Sequence, residues 1–378
     1  MPEIAPIPLS QLTTLRTGAA PARMVDATTR DELISTLHDV WATGEEWFVL
    51  GGGSNLFVGD EPFEGTVVRI LTEGIERQPG TRPGFTRVKV QAGHNWDALV
   101  AFAVDAGLAG IEAMSGIPGT VGAAPVQNVG AYGQEIVQTL VEAELIDEST
   151  GDVSTVSAEE LGLGFRTSVL KQHYGSLPAR RAVIISVTFE LAEVGQGDRP
   201  IAGEQLRSAL RLESDDRVSL KWIRDHVLAT RVSKGMVLDD TDADTYSAGS
   251  FFQNAVVSES FARTLPAECP RWPVAPDLDP VLVIPLDSFD GYVPKLAAKK
   301  SEVKVSSAWL IEQSGIGKSF KLPRSRASLS TKHALALTNR GNATAGELAE
   351  LARFIQNRVY SEFGLVLQPE PVLVGVDL

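Results

Sequence analysis

Residues 115–133 read SGIPGTVGAAPVQNVGAYG, and this stretch predicts more about the fold than any other of similar length. Seven of the chain's 34 glycines lie between Gly107 and Gly133. So long a loop of glycine and small residues is usually functional when ordered, because its backbone can approach a ligand closely. A purely structural crossover between two units is the other interpretation.

A second glycine-rich loop lies upstream, at residues 51–55, with the sequence GGGSN. Leu56 stands where a dinucleotide-binding G-x-G-x-x-G fingerprint requires glycine, so the Rossmann interpretation is excluded. The loop is either a tight strand-to-strand turn or a group of backbone N–H donors for phosphate. Taken together, the two loops predict a site for an extended diphosphate cofactor.

Regular elements flank both loops. Cap residues and apolar residues at helical spacing predict helices from Thr29 to Gly44, from Asn95 to Gly107 and from Thr344 to Gly364, with two more over residues 219–232 and 307–312. Apolar runs predict strands at residues 48–50, 66–71, 85–92, 136–146, 182–191 and 365–374. This mixture predicts an α+β fold with mixed sheets.

Composition excludes several classes of protein. A chain of 378 residues with 43% hydrophobic residues predicts two or three globular domains. The net charge of −14 argues against a general nucleic-acid binder. One cysteine, Cys269, cannot form an intramolecular disulfide, and no Cys/His spacing predicts a metal site. The N-terminal residues do not resemble a signal peptide and no apolar run is long enough for a membrane span, so we expect a cytoplasmic protein.

A basic segment runs from Lys295 to Lys332, with nine basic and two acidic residues. Positive charge within an acidic chain concentrates small anions, so this segment is either an anion-binding surface or a solvated face. It contains GIGKS at residues 315–319, but a P-loop is excluded because Glu312 replaces the first glycine of that motif.

Five segments in order resemble one family, the UDP-N-acetylenolpyruvoylglucosamine reductases. They are SGIPGTVGAAPVQNVGAYGQE, GFRTSVLK, SAGSFFQN, SSAWLIEQSG and LQPEPVLVG, within a resemblance that runs from about residue 12 to residue 375. It implies an α+β fold with a two-part FAD-binding region of the vanillyl-alcohol-oxidase/PCMH type and a C-terminal α+β substrate-binding domain. The implied parts are residues 1–70 with 366–378, residues 71–238, and residues 239–365 for the UDP-sugar.

The resemblance implies an FAD-dependent oxidoreductase of peptidoglycan precursor synthesis. NADPH reduces FAD, and FAD then reduces UDP-N-acetylglucosamine enolpyruvate to UDP-N-acetylmuramate. We expect a monomer without nucleic-acid or membrane partners. Two alternatives are a related FAD oxidoreductase with another substrate and a non-catalytic regulator that binds flavin or a UDP-sugar.

Three residues match the family's catalytic positions. Ser250 matches the proton donor, while Arg166 and Glu370 match the pair that stabilises the enolate formed by hydride addition. The resemblance also implies that FAD is bound by Gly51, Gly52, Gly53, Ser54, Asn55, Ser115, Gly116, Gly119, Gly122, Gln127, Asn128, Gly130, Ala131 and Ile184. It implies that the substrate is bound by Lys234, Asn254, Gln313 and Lys304, and it implies no metal.

The chain departs from the family's pattern in two places. Many members have serine where this chain has Ala123 or Ala124, so one hydroxyl contact to FAD is in doubt. The stretch 200–204, PIAGE, aligns with a substrate-closing loop of one subclass but lacks its aromatic residue and has Ala202 instead. We therefore expect the subclass with the loop, without that aromatic.

Overall fold

The computed structural model describes residues 3–171, 178–274 and 302–378. In those ranges the strands are β1 Glu3–Ile4, β2 Arg23–Ala27, β3 Trp47–Leu50, β4 Leu56–Val58, β5 Thr66–Ile70, β6 Ile75–Pro79, β7 Phe85–Gln91, β8 Leu108–Ala109, β9 Gly130–Ala131, β10 Gln134–Glu135, β11 Leu140–Asp147, β12 Val153–Ser157, β13 Ala182–Glu193, β14 Arg199–Pro200, β15 Arg217–Val218, β16 Ala255–Ser258, β17 Arg271–Pro273, β18 Glu302–Val305, β19 Ala327–Leu329, β20 Leu337–Asn339 and β21 Val372–Val374. The helices are α1 Arg30–Thr43, α2 Trp96–Asp105, α3 Glu204–Leu210, α4 Leu220–Ser233, α5 Glu259–Ala262, α6 Ser307–Gln313 and α7 Ala345–Phe363.

The first sheet has the strand order β1-β2-β5-β3, with β2 and β3 parallel to β5 and β1 antiparallel at the edge. Helix α1 begins at a capping box in which Thr29 and Glu32 satisfy each other's backbone N–H groups, and it ends at the left-handed Gly44. Leu33 and Leu37 of this helix are fully buried. The first glycine-rich loop follows β3, at the carboxyl end of a parallel strand.

The second sheet has the order β12-β11-β13-β7-β6, and β8 pairs with β13. Helix α2 follows β7 and begins at Asn95, whose side chain accepts the backbone N–H of Ala98. The second glycine-rich loop leaves this unit and packs along the end of the sheet, where the Gly122 N–H donates to the Ala92 carbonyl at 2.8 Å. The segment 121–138 contains short 3-10 turns and little regular structure.

The C-terminal part combines the sheet β16-β18-β17, the hairpin β19-β20, and helices α6 and α7. Helix α7 begins at a capping box of Thr344 and Glu347 and ends at the left-handed Gly364. Its buried face contributes Leu348, Leu351 and other apolar residues to a core that also contains Phe57 of the first part. The core of the C-terminal part is therefore continuous with that part.

The chain end returns to its beginning, because β21 pairs in parallel with β4. The predicted strand 365–374 is wrong for most of its length, since only β21 is a strand there and Pro369 and Pro371 lack the N–H that a ladder needs. The predicted strand 136–146 is also shorter than expected, because residues 136–138 form a 3-10 turn closed by Glu135 and Gln138. No described helix combines the length and apolar content needed to span a bilayer.

Candidate active site

A cavity of about 630 Å³ lies where both glycine-rich loops meet the segments that carry Arg166, Ser250 and Glu370. This volume is typical of pockets for small-molecule cofactors and substrates. The three residues predicted to be catalytic thus line the same space, although up to 204 positions separate them in the chain.

The two glycine-rich loops are in direct contact along one side of the cavity. A Cβ atom on Gly52 would lie 2.6 Å from the Cα of Gly119, which leaves no room for any side chain. The Ser54 hydroxyl donates to the Pro118 carbonyl at 3.0 Å and so links the loops. Glycine is therefore required where the loops cross, and their backbones form a cradle for a ligand.

Most residues predicted to bind the cofactor line this cavity: Gly51, Gly52, Gly53, Ser54, Asn55, Gly119, Gly122, Gln127, Gly130 and Ile184. Four do not line it, namely Ser115, Gly116, Asn128 and Ala131. Ser115 is fully buried and its hydroxyl donates to the Glu112 carbonyl at 2.7 Å. The Asn128 amide donates to the Glu135 carboxylate and the Gly164 carbonyl. These contacts give both residues a structural role in shaping the loop.

Ser250 and Glu370 are brought together by backbone pairing between two distant segments. The Glu370 N–H donates to the Phe251 carbonyl at 2.8 Å, and the Gln253 N–H donates to the Gln368 carbonyl at 3.0 Å. Ser250 directly precedes the paired residues, and it lines the same cavity as Glu370.

Arg166 lies opposite Glu370, with its Nε 3.2 Å from a carboxylate oxygen of Glu370. Its terminal nitrogens donate to the carbonyls of Asn128 and Gly130 at 3.3 and 3.4 Å. Arg166 has a left-handed backbone with φ of 57°. A strained backbone of this kind is common where a side chain is aimed into a functional site.

Lys171 is a cavity residue to which sequence reasoning gave no role. Its ammonium group donates to the side-chain oxygen of Gln127 at 2.8 Å and to the Glu370 carbonyl at 2.7 Å. Burial lowers the pKa of Lys171 to about 8, although the charge of Glu370 opposes this shift. The available signal was its place at the end of the segment GFRTSVLK.

The cavity lining is rich in positive charge. Arg180, Arg181 and Arg231 line it together with Arg166 and Lys171, against the acidic Glu148 and Glu370. Arg231 is 8% exposed and its Nε has no hydrogen-bond partner among the described residues. A buried guanidinium with an unpaired donor, beside the glycine cradle, fits an anionic ligand such as a diphosphate.

The four residues predicted to bind substrate lie outside the lining of this cavity. The Nζ of Lys304 is 4.6 Å from the ring centroid of Phe165, the neighbour of Arg166. The Nζ of Lys234 is 5.8 Å from the ring centroid of Tyr132. The Asn254 side chain accepts the N–H of Ser307 at the start of α6, and Gln313 is exposed at the end of that helix.

The basic segment is only partly described, because Lys295, Lys299 and Lys300 lie outside the described residues. Within it, Arg326 pairs with Glu347 at 3.2 Å, and Lys332 pairs with Asp242. Lys318 is exposed, and together with Lys234 it helps to lower the pKa of His333. Part of this segment is thus neutralised by local ion pairs.

The stretch aligned with the closing loop, residues 200–204, contains the end of β14 and the start of α3. Ile201 of this stretch packs in a small apolar cluster with Leu206 and Val227, against which the Tyr132 ring also packs. Two aromatic residues of the described chain pack against this cluster, Tyr132 from the second glycine-rich loop and Trp222 from α4. The contact between Tyr132 and this stretch was not predicted from the sequence, because it joins segments about 70 positions apart.

Comparison with known proteins agrees with this architecture. Residues 21–157 match a model of an FAD-binding domain, and residues 241–374 match the C-terminal domain of UDP-N-acetylenolpyruvoylglucosamine reductase. Reductases of that name from Leifsonia xyli and Saccharopolyspora erythraea are 51% and 45% identical to the chain, over 99% and 98% of it and 99% and 95% of their own lengths.

A crystal structure of the Thermus caldophilus reductase matches 98% of both chains with a TM-score of 0.59 at 23% identity, a likeness that concerns the fold alone. The predicted α+β fold with an FAD-binding region is confirmed by the matches to both domains. The cradle and its positive lining fit FAD, and the protein is an FAD-dependent oxidoreductase. With 51% identity over nearly its whole length, the chain belongs to the UDP-N-acetylenolpyruvoylglucosamine reductase family.

Proposed function

We propose that this enzyme reduces the enolpyruvyl group of UDP-N-acetylglucosamine enolpyruvate to the lactyl group of UDP-N-acetylmuramate, with electrons from NADPH that pass through FAD. The observation that carries the proposal is the meeting of Ser250, Arg166 and Glu370 on the wall of the cavity that both glycine-rich loops line. The three segments that supply them are far apart in the chain, so their convergence supports a common task.

FAD, held by the two glycine-rich loops, would supply a hydride for the methylene carbon of the enolpyruvyl group. Negative charge then develops on the α-carbon and spreads into the adjacent carboxylate. Arg166 is placed to stabilise that charge, because its guanidinium is held by two carbonyls and does not need to reorganise. Glu370 keeps Arg166 oriented through their 3.2 Å ion pair.

Ser250 is the proposed proton donor to the α-carbon. A hydroxyl is a weak acid, but a carbanionic carbon is a strong base, so position decides whether the transfer is efficient. Backbone pairing of residues 251–253 with residues 368–370 fixes that position. The serine therefore acts from the same wall as the charge-stabilising pair.

The substrate is proposed to contact Lys234 at the end of α4 and three residues of the C-terminal part of the chain, Lys304, Asn254 and Gln313. Support comes from Lys304, whose Nζ lies 4.6 Å from the ring centroid of Phe165, the neighbour of Arg166. We also propose that the chain divides into three parts. Residues 1–70 with 366–378 and residues 71–238 would bind FAD, and residues 239–365 would bind the UDP-sugar.

The test is Ser250→Ala, with the two half-reactions measured separately by anaerobic stopped flow. We expect NADPH to reduce the flavin at the wild-type rate, while reoxidation by the sugar nucleotide slows by about 10²–10⁴-fold. Ser361→Ala, an exposed serine on α7, is the matched control and should change neither rate. Equal loss in both half-reactions, or no loss in either, would show that Ser250 is not the proton donor.

A further inference from the structure

Lys171 joins the catalytic wall to the cofactor cradle. Groups from four separate segments form one hydrogen-bonded ring. They are the side chains of Asn55, Gln127 and Lys171 and the main-chain carbonyl of Glu370. The Lys171 ammonium donates to the Gln127 side-chain oxygen and to the Glu370 carbonyl, at 2.8 and 2.7 Å. The Asn55 amide donates to the same two oxygens, at 2.6 and 3.4 Å.

This ring determines which way the Gln127 amide points. Its oxygen accepts from two donors, so exchanging its oxygen and nitrogen would set an NH2 group against an ammonium and another NH2. The Gln127 nitrogen has no hydrogen-bond partner among the described residues, and the side chain lines the cavity. The orientation therefore leaves the amide N–H groups available to a cofactor in the cradle.

The same ring holds the main chain of Glu370. The Glu370 carbonyl accepts from Lys171 and Asn55, while its N–H donates to Phe251. The short Lys171 bond comes from a charged donor, which makes it stronger than a bond between neutral amides. Without it, one weak contact of 3.4 Å would remain on the carbonyl.

Lys171 also places a second cation beside Arg166 and Glu370. Burial lowers its pKa to about 8, with Glu370 opposing and Arg166 adding to the shift. A charge that is costly to bury is retained where it makes hydrogen bonds that a smaller or apolar residue cannot replace. The lysine is therefore suited to holding two acceptors in place at neutral pH.

We infer that Lys171 is a positioning residue, which fixes the Glu370 main chain and turns the Gln127 amide toward the flavin. The first half of this inference, that Lys171 positions Glu370, rests on the proposed function. The second half, that Lys171 orients the Gln127 amide, concerns the binding of the cofactor alone. The two halves therefore have separate readouts, the rate of flavin reoxidation and the dissociation constant of FAD.

The experiment uses Lys171→Met, which keeps an unbranched side chain as far as Cε and removes the ammonium group with its donors. Lys221→Met, an exposed lysine on α4, is the matched control. We expect Lys171→Met to raise the FAD dissociation constant at least about fivefold and to slow substrate-dependent reoxidation by about 10²-fold, as misplacement of a catalytic group by about 1 Å does. The control should match the wild type in both.

A Lys171→Cys variant guards against a folding defect. Treatment with 2-bromoethylamine converts the new cysteine into an aminoethyl analogue of lysine within one purified preparation. Cys269, the natural cysteine, is buried and burial raises the pKa of its thiol, so alkylation is directed to position 171. We expect alkylation to restore both FAD affinity and the reoxidation rate.

The inference would be overturned by wild-type behaviour of Lys171→Met, or by losses that aminoethylation does not restore. Failure of the proposed function would look different, because the wild-type flavin itself would then not be reoxidised by the sugar nucleotide. In that case the FAD dissociation constants of the same variants would still test whether Lys171 orients the Gln127 amide toward the cofactor.

Discussion

Arg166 and Glu370 are held on the cavity wall with side-chain exposures of 22% and 15%. Partial burial strengthens their 3.2 Å attraction relative to an exposed pair, and the Asn128 and Gly130 carbonyls restrict Arg166 further. The arginine is therefore set in place before substrate arrives, which is what electrostatic stabilisation of a developing charge requires.

At this scale we predict the effect of Glu370→Gln, which removes the carboxylate charge and keeps the backbone contacts. Reoxidation of the flavin by the sugar nucleotide should fall by about 10²-fold, the usual cost of misplacing a catalytic group, because Arg166 loses the ion pair that orients it. FAD affinity, measured by titration, should not change. An equal fall in the rate of flavin reduction by NADPH would contradict the assignment.

Single residues were predictable here only in part. Ser250, Arg166 and Glu370 came from the family resemblance, and the structure places all three on one cavity, while their roles stay predictions. Lys171 had no sequence signal of its own, because its importance depends on contacts 44 and 199 positions away. Ser115 and Asn128 were predicted to touch the cofactor, but their side chains are used within the loop.

At the scale of elements, the cap residues were the most reliable guides. The capping boxes at Thr29 and Thr344 and the N-cap at Asn95 are confirmed, because a cap is a local interaction that the sequence fully contains. The segment 121–138 could not be predicted, since its short turns follow contacts with the other loop and have no periodicity of their own.

The crossing of the two glycine-rich loops gives a prediction for Gly52→Ala. The added Cβ would lie 2.6 Å from the backbone of Gly119, so the loops must separate and the cradle must widen. FAD affinity should fall at least about tenfold in a fluorescence titration, equivalent to about 1.4 kcal/mol. Gly197→Ala, whose Cβ would meet no atom within 4 Å, is the control. Unchanged affinity in Gly52→Ala would contradict the proposed cradle.

The turn that carries His333 gives a prediction about pH. Burial, then the charges of Lys234 and Lys318, lowers the pKa of His333 to about 4, and its Nδ1 accepts the Leu335 N–H at 3.0 Å. The unfolded chain binds this proton more readily, so the stabilising contribution is present above about pH 6.5 and is lost as pH falls toward about 4.

His333→Asn should therefore reduce the acid sensitivity of the protein. We expect the free energy of unfolding to fall by about 2 kcal/mol less between pH 7 and pH 4.5 than in the wild type, measured by urea denaturation. The asparagine oxygen can still accept the Leu335 N–H. The same loss in both proteins would show that His333 is not the group responsible.

At the scale of the whole molecule, the site depends on the return of the chain end to its beginning. Pairing of β21 with β4 brings Glu370 to the first glycine-rich loop, where the Val372 N–H donates to the Asn55 carbonyl at 2.9 Å. The cavity is thus closed by segments from the start, middle and end of the sequence. Sequence patterns cannot show such a closure, because it is a property of topology.

The charge of the whole molecule also contrasts with its cavity. The chain has a net charge of −14, yet five basic and two acidic residues line the cavity. This contrast favours small anionic ligands over extended polyanions, in agreement with an FAD enzyme that acts on a sugar nucleotide.

The most direct test of the account follows the FAD-loaded wild-type protein, reduced anaerobically with one equivalent of NADPH. UDP-N-acetylglucosamine enolpyruvate is then added while the visible absorbance of the flavin is recorded. We predict that the oxidised spectrum returns and that the sugar nucleotide gains two hydrogens by mass spectrometry. A flavin that stays reduced with the sugar nucleotide, but is reoxidised when oxygen is admitted, would contradict the account.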